Sequence, residues 1–192
     1  PDRFDSTFFN MTDAFNVIYP EVQLRIMIHF NHPDEFLQKD KDGKYINNPE
    51  GGLLWLESTR RAVKELAKRD YITVINQAPF IKGINHDPQA ITILQRELKS
   101  KNVNNQYFFC GRDIVGHKYF NLSIEDSWNL LNDSQKGLSG VESTARLSIT
   151  HYLGKTEVVA VTNKGIPGLK GSENGVVIFK LLRGAQDAPL KG

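Results

Sequence analysis

The chain has 192 residues, 40% of them apolar, which is enough for one domain with a real core, and its net charge of +2 on a mixed surface gives no argument for nucleic acid. Its one cysteine, Cys110, excludes an internal disulfide framework and any iron–sulfur or all-cysteine metal site made by this chain alone. With no run of about 18 apolar residues to span a bilayer and no basic–apolar leader, no membrane partner is expected and the cytoplasm is the expected setting.

The chain begins at Pro1 with no methionine, which reads as a piece processed or cut from a longer protein. Residues 5 to 19 carry Phe8, Phe9, Met11, Phe15 and Ile18 in a loose helical stripe. A strand is predicted at about 22 to 29, where Leu24-Arg25-Ile26-Met27-Ile28 is closed by His29-Phe30-Asn31-His32-Pro33. Residues 34 to 52 are polar and rich in Asn, Asp and Gly, and read as an inserted loop. A helix follows from about 53 to 69, with Leu53, Leu56, Ala62, Val63, Leu66 and Ala67 on its buried side and Trp55 as core or interface.

The second strand, 71 to 77, ends in Asn76-Gln77-Ala78-Pro79-Phe80-Ile81-Lys82-Gly83. Asp87-Pro88 opens the next helix with a capping side chain and a proline at its first position. Gln106-Tyr107-Phe108-Phe109-Cys110 is the third strand, and Ser123 caps a helix carrying Ile124, Trp128, Leu130 and Leu131. Beyond Gly140 the texture changes to short strands at 146–150, 157–161 and 176–180 between Gly-rich turns.

Alternating strands and helices are the signature of parallel βαβ units, so the fold class is α/β, with mostly parallel strands and a β-rich tail. Three such strands are too few for a closed eight-stranded barrel of about 250 residues, so the sheet is expected to be part of something larger. Polar clusters at the carboxyl ends of successive strands are where such sheets gather ligand-binding groups. Here these are His, Asn and Gln, which grip small molecules through hydrogen-bonding edges and point to a cofactor pocket. Residue type alone leaves open that His29 and Asn31 merely satisfy neighbouring backbone at a strand end.

Taken together, His29-Phe-Asn-His-Pro33, Glu57-Ser-Thr-Arg60, Asn76-Gln77 with Lys82-Gly-Ile-Asn85, and Gly154-Lys155-Thr156 resemble the lysine 2,3-aminomutase family of radical S-adenosylmethionine enzymes. The order and spacing carry the resemblance, which runs from Pro1 to about Val161. It implies a partial (β/α) barrel whose later strands lie in 1–140, with the insert at 34–52, and a β-rich C-terminal tail over 141–192. It also implies a 4Fe–4S cluster, S-adenosylmethionine and pyridoxal phosphate, which together move an amino group between adjacent carbons of an amino acid. By the same resemblance His29 and Gln77, with Asn76 beside them, contact S-adenosylmethionine. Lys155 is the catalytic lysine that anchors pyridoxal phosphate, a role that needs its neutral amine. A solvated hairpin is the competing reading of Gly154-Lys155.

The family's Cys-x3-Cys-x2-Cys motif is absent, so the cluster belongs to the full-length parent only, and this piece alone is expected to be inactive. Substrate-gripping carboxylates of the lysine-specific enzymes map near Arg112-Asp113 and near Ser148. Arg112 and Ser148 suit an acidic or neutral side chain, whereas Asp113, if equivalent, keeps lysine possible. An amino-acid substrate and a homo-oligomer are expected. The rival readings are a non-catalytic module that kept the fold and a pyridoxal enzyme without radicals. Gly83 and Gly116 read as turn glycines, and His86, His117 and His151 as surface or capping histidines, with His151 close to Lys155.

Overall fold

A computed structural model describes residues 4–111, 118–151 and 154–184. Asp5 accepts from the Phe8 amide and starts helix α1, Ser6–Ile18. Strand β1, Leu24–Ile28, turns Leu24, Ile26 and Ile28 toward the core and leaves Arg25 and Met27 exposed, the period of two of a half-covered strand. Helix α2, Glu57–Ala67, buries Thr59, Ala62, Val63 and Leu66 and leads into β2, Ile72–Pro79. The Asp87 carboxylate accepts from the amides of Gln89 and Ala90, and Pro88 occupies the first position of α3, Pro88–Ser100. Strand β3 is Val103–Phe109, and α4, Ile124–Gln135, is capped by Ser123 accepting from the Asp126 amide.

Strands β4 (Arg146–His151), β5 (Gly154–Thr162) and β6 (Val176–Gly184) complete one six-stranded sheet in the order β1-β2-β3-β4-β5-β6. Strands β1 to β4 pair in parallel, and β5 and β6 add antiparallel. The first strand of the β-rich stretch therefore extends the parallel set. The sheet is open, with β1 and β6 at its edges. Val63, Leu66, Ile91, Leu94, Leu98, Leu130 and Leu131 from the helices pack with Val74, Ala78, Val103, Phe108 and Leu147 from the strands in a single core. The helices thus cover one face and leave the other available for ligand groups.

The structure departs from the sequence expectations at the start of α2, in the insert, and at the starts of β3 and β5. The helix expected from 53 starts at Glu57, because Leu53 and Trp55 bridge back to Asn47 and Leu37. The insert is a folded ribbon: Phe36, Leu37 and Trp55 are buried, and the Phe36 and Trp55 rings lie 4.6 Å apart. Glu97 on α3 holds it down, accepting from the Trp55 indole at 3.0 Å and the Leu53 amide at 3.3 Å. The third strand begins at Val103, whose side chain is fully buried. The strand expected from 157 begins at Gly154, because Thr150 pairs with Lys155 and His151 with Gly154.

Candidate functional site

Pairing of Ile28 with Asn76 carries β1 and β2 side by side to their carboxyl ends. His29 and Gln77 meet there, with 3.4 Å between Gln77 Nε2 and His29 Nε2, a contact in which the amide donates to the ring nitrogen when the imidazole proton is on Nδ1. A register shift between β2 and β3 then skips Gln106. Asn76 pairs with Asn105, whereas Gln77 pairs with Tyr107. Tyr107 and Phe109 lie on the face away from the helices, while Phe108 between them is buried against Phe80. Lys155 of β5 lays its ammonium on these rings, 3.7 Å from the Tyr107 centroid and 4.9 Å from that of Phe109.

His29, Gln77, Tyr107 and Lys155 thus form a row across the sheet. Beside it a cleft of about 570 Å³ opens at the strand ends, lined by His29, Ile81, Phe109, Cys110, Phe120 and Thr150 among others. Thr150 pairs with Lys155, which ties the cleft to the lysine. Gly154 adopts φ +125°, a conformation that L side chains rarely take, so glycine is favoured immediately before Lys155. At the cleft wall a Cβ on Gly111 would lie 1.9 Å from Asn121 Oδ1, so any larger residue there would require the Asn121 side chain to shift.

Burial lowers the pKa of Lys155, because removing water disfavours the ammonium. Among the described residues no carboxylate pairs with it, and Glu157, two positions along, pairs instead with Arg146 at 3.4 Å. Lys155 lies at the start of the second strand of the antiparallel β4–β5 pair, as the hairpin reading of Gly154-Lys155 also allowed, with its ammonium on aromatic rings. A lowered pKa is the direction that favours the neutral amine, the form that attacks a carbonyl.

The other expected site residues fall elsewhere. Asn76 is 1% exposed, and its amide bonds Phe30 and Asn105 on the opposite side of the strand from Gln77. Ser148 is buried and donates to the Thr156 carbonyl at 2.8 Å. Arg112 and Asp113 lie outside the described residues, as do Gly116 and His117. His86 accepts from the Gly83 amide at 3.0 Å, and His32 accepts from the Asp34 amide at 3.2 Å. His151 pairs with Gly154, one residue from Lys155. The Cys110 thiol is buried, and burial pushes its pKa up to about 11. Tyr107, Thr150 and Phe120 escaped the sequence reading; alternation from Phe109 reaches Tyr107, but its place beside Gln77 depends on the skipped Gln106.

No family model matches the chain. Among curated proteins, the chain is 30% identical over 144 residues to a protein of Aquifex aeolicus (strain VF5) provisionally named L-lysine 2,3-aminomutase, covering 75% of this chain and 33% of that protein. A second Aquifex protein of the same provisional name is 30% identical over 141 residues, 73% of this chain and 31% of its own length. The glutamate 2,3-aminomutase of Clostridioides difficile (strain 630) is 27% identical over 141 residues, 73% of this chain and 27% of that enzyme. The chain therefore spans about a third of the length of the curated relatives it matches, and the resemblance read from its motifs is borne out.

Proposed function

We propose, from that similarity to the 2,3-aminomutases, that the chain is the later part of a (β/α) barrel isomerase that moves an amino group between adjacent carbons of an amino acid. Residues 1–140 would carry the later barrel strands and 141–192 the tail with the pyridoxal lysine. The observation that carries this reading is the row of His29, Gln77, Tyr107 and Lys155 on one face of the sheet, beside a cleft at the strand ends. When bound, S-adenosylmethionine would supply the initiating radical and pyridoxal phosphate the carrier for the migrating amine.

The residues present suit the two organic groups. His29 offers a ring nitrogen and Gln77 an amide, both at the open end of the strands, to orient S-adenosylmethionine. The Lys155 amine, whose pKa burial lowers, would hold the pyridoxal group, and Phe109 and Phe120 line the cleft with apolar surface. For the substrate, Arg112 would pair an acidic side chain, or Asp113 a distal ammonium, with Ser148 of β4 as the further substrate residue that the resemblance implies. An iron–sulfur cluster does not suit this chain: Cys110 is its single cysteine, and burial holds that thiol protonated. The cluster would come from elsewhere in a full-length cytoplasmic enzyme, and this piece alone would not turn over.

The test is borohydride reduction of the chain equilibrated with pyridoxal phosphate, followed by peptide mapping. One pyridoxyl group is expected on Lys155 and none in Lys155→Ala. In the full-length protein Gln77→Ala should keep that label and weaken S-adenosylmethionine binding by about 1–3 kcal/mol through a lost hydrogen bond. Labelling spread over surface lysines with Lys155 unmodified overturns the reading.

A further inference from the structure

The turn that carries His29 belongs to no backbone ladder, yet side chains take most of its polar backbone groups. The Phe30 amide donates to Asn76 Oδ1 at 2.8 Å, and Asn76 Nδ2 donates to the Phe30 carbonyl at 3.2 Å. The amides of Asn31 and His32 donate to Glu35 Oε1 at 2.8 and 3.0 Å. The Asn31 carbonyl accepts from Asn85 Nδ2 at 3.0 Å. Asn85 also donates to the Pro79 carbonyl at 2.9 Å and accepts from the Ile81 amide at 2.6 Å, so it ties the turn after β1 to the turn after β2. Asn76 and Asn85 are 1% and 0% exposed, whereas His29 is exposed.

We infer that Asn76 and Asn85 are positioning residues that hold the turn after β1 so that His29 meets Gln77; their importance for ligand binding rests on the reading of His29 and Gln77 as ligand contacts. Both oxygen and nitrogen of each amide are committed inward. Asn76 reaches on to Asn105 at 3.3 Å, and Asn105 donates to the Gln95 carbonyl at 3.1 Å, which anchors the clasp in α3. The clasp needs one acceptor and one donor at the same side-chain end. Aspartate would set an oxygen against the Phe30 carbonyl, and leucine would leave a buried amide unpaired. An orphaned amide frees the turn, and the freed turn carries His29 away from Gln77.

The experiment is nitrogen NMR of the His29 ring in the whole chain, with Asn76→Ala, Asn85→Ala and, as a destabilised control, the buried core change Leu98→Ala. In the unsubstituted chain the two ring nitrogens should be well separated, because an amide donor at Nε2 selects the Nδ1–H tautomer. Each asparagine change should draw them toward the average of exchanging tautomers while the rest of the spectrum stays folded, and Leu98→Ala should leave them apart. Folded asparagine variants with an unchanged His29 pattern overturn the inference. If neither variant folds, amide exchange of the unsubstituted chain decides: a Phe30 amide protected well above the exposed turns supports the clasp, and one exchanging as fast as they do overturns it. A His29 ring that responds to both asparagine changes but not to added S-adenosylmethionine keeps the clasp and removes only the ligand reading.

Discussion

Replacing Tyr107 with leucine separates the two influences acting on Lys155. The tyrosine ring, 3.7 Å from the ammonium, favours the charged form, while burial favours the neutral one. A cation–π contact contributes about 0.5–1 kcal/mol when exposed and about 2 when desolvated, so a half-buried lysine draws about 1 kcal/mol from it. Leucine keeps the apolar cover and removes the ring, which moves the balance toward the free amine. Since 1.4 kcal/mol is about a tenfold change in an equilibrium, the neutral fraction at a fixed neutral pH should rise about fivefold. Trace acetylation read by mass spectrometry measures this directly, with exposed Lys164 as the internal reference. Tyr107→Phe retains the ring face and should label like the unsubstituted chain. A leucine variant whose Lys155 labels no faster, beside a normal phenylalanine variant, would refute the account of how the aromatic bed acts.

Other perturbations test the frame around the site. The Arg69 guanidinium and the Tyr71 hydroxyl bond Asp13 and hold its carboxyl at about 2, below its ordinary 3.8. A carboxyl depressed by folding contributes stability that is present above its ordinary value and lost as pH falls through the folded one. Denaturant midpoints should therefore drop between pH 3.8 and 2, and Asp13→Asn should flatten that slope; an equally steep slope in the variant counts against the Arg69 clamp. Glu97→Ala strands the Trp55 indole and the Leu53 amide, at about 1–3 kcal/mol each, whereas Glu97→Gln keeps one acceptor and should cost about half as much. Urea melts that rank the two variants equally would show that Glu97 does not pin the insert. Edge strand β6 exposes Ile178, Phe179 and Leu181, so the chain should associate with its own copies, and Phe179→Lys should weaken that association. A monodisperse monomer of the unsubstituted chain at high concentration, by sedimentation velocity, refutes this.

Much of the architecture is local and was therefore legible in the chain itself. Asp87-Pro88 and Ser123 start helices because a capping side chain and its target amides lie within three residues. Alternation in Leu24–Ile28 predicts a strand with one covered face, and the polar run after Ile28 marks the end of β1, whereas the run after Ile75 lies within β2, which continues to Pro79. His29 and Gln77 could be named as ligand groups from those polar runs, with the family resemblance supplying which ligand.

What only the tertiary structure decided depends on groups far apart in the chain. Asn76 and Gln77 are neighbours with the same chemistry, and the pleat sends one into the core and the other toward the open face. Which goes where follows from the helices that cover the sheet. The skipped Gln106 sets Tyr107 beside Gln77, and pairing with Thr150 fixes Lys155 in β5 with its ammonium on the two rings. Trp55 looked helical by composition, yet it closes a ribbon because Glu97, 42 residues away, offers its indole an acceptor. Caps and periodicity act between residues a few positions apart, so composition and spacing record them. Strand register, the buried amide clasp and the aromatic bed arise only once distant segments share a core, because burial is what makes their hydrogen bonds obligatory.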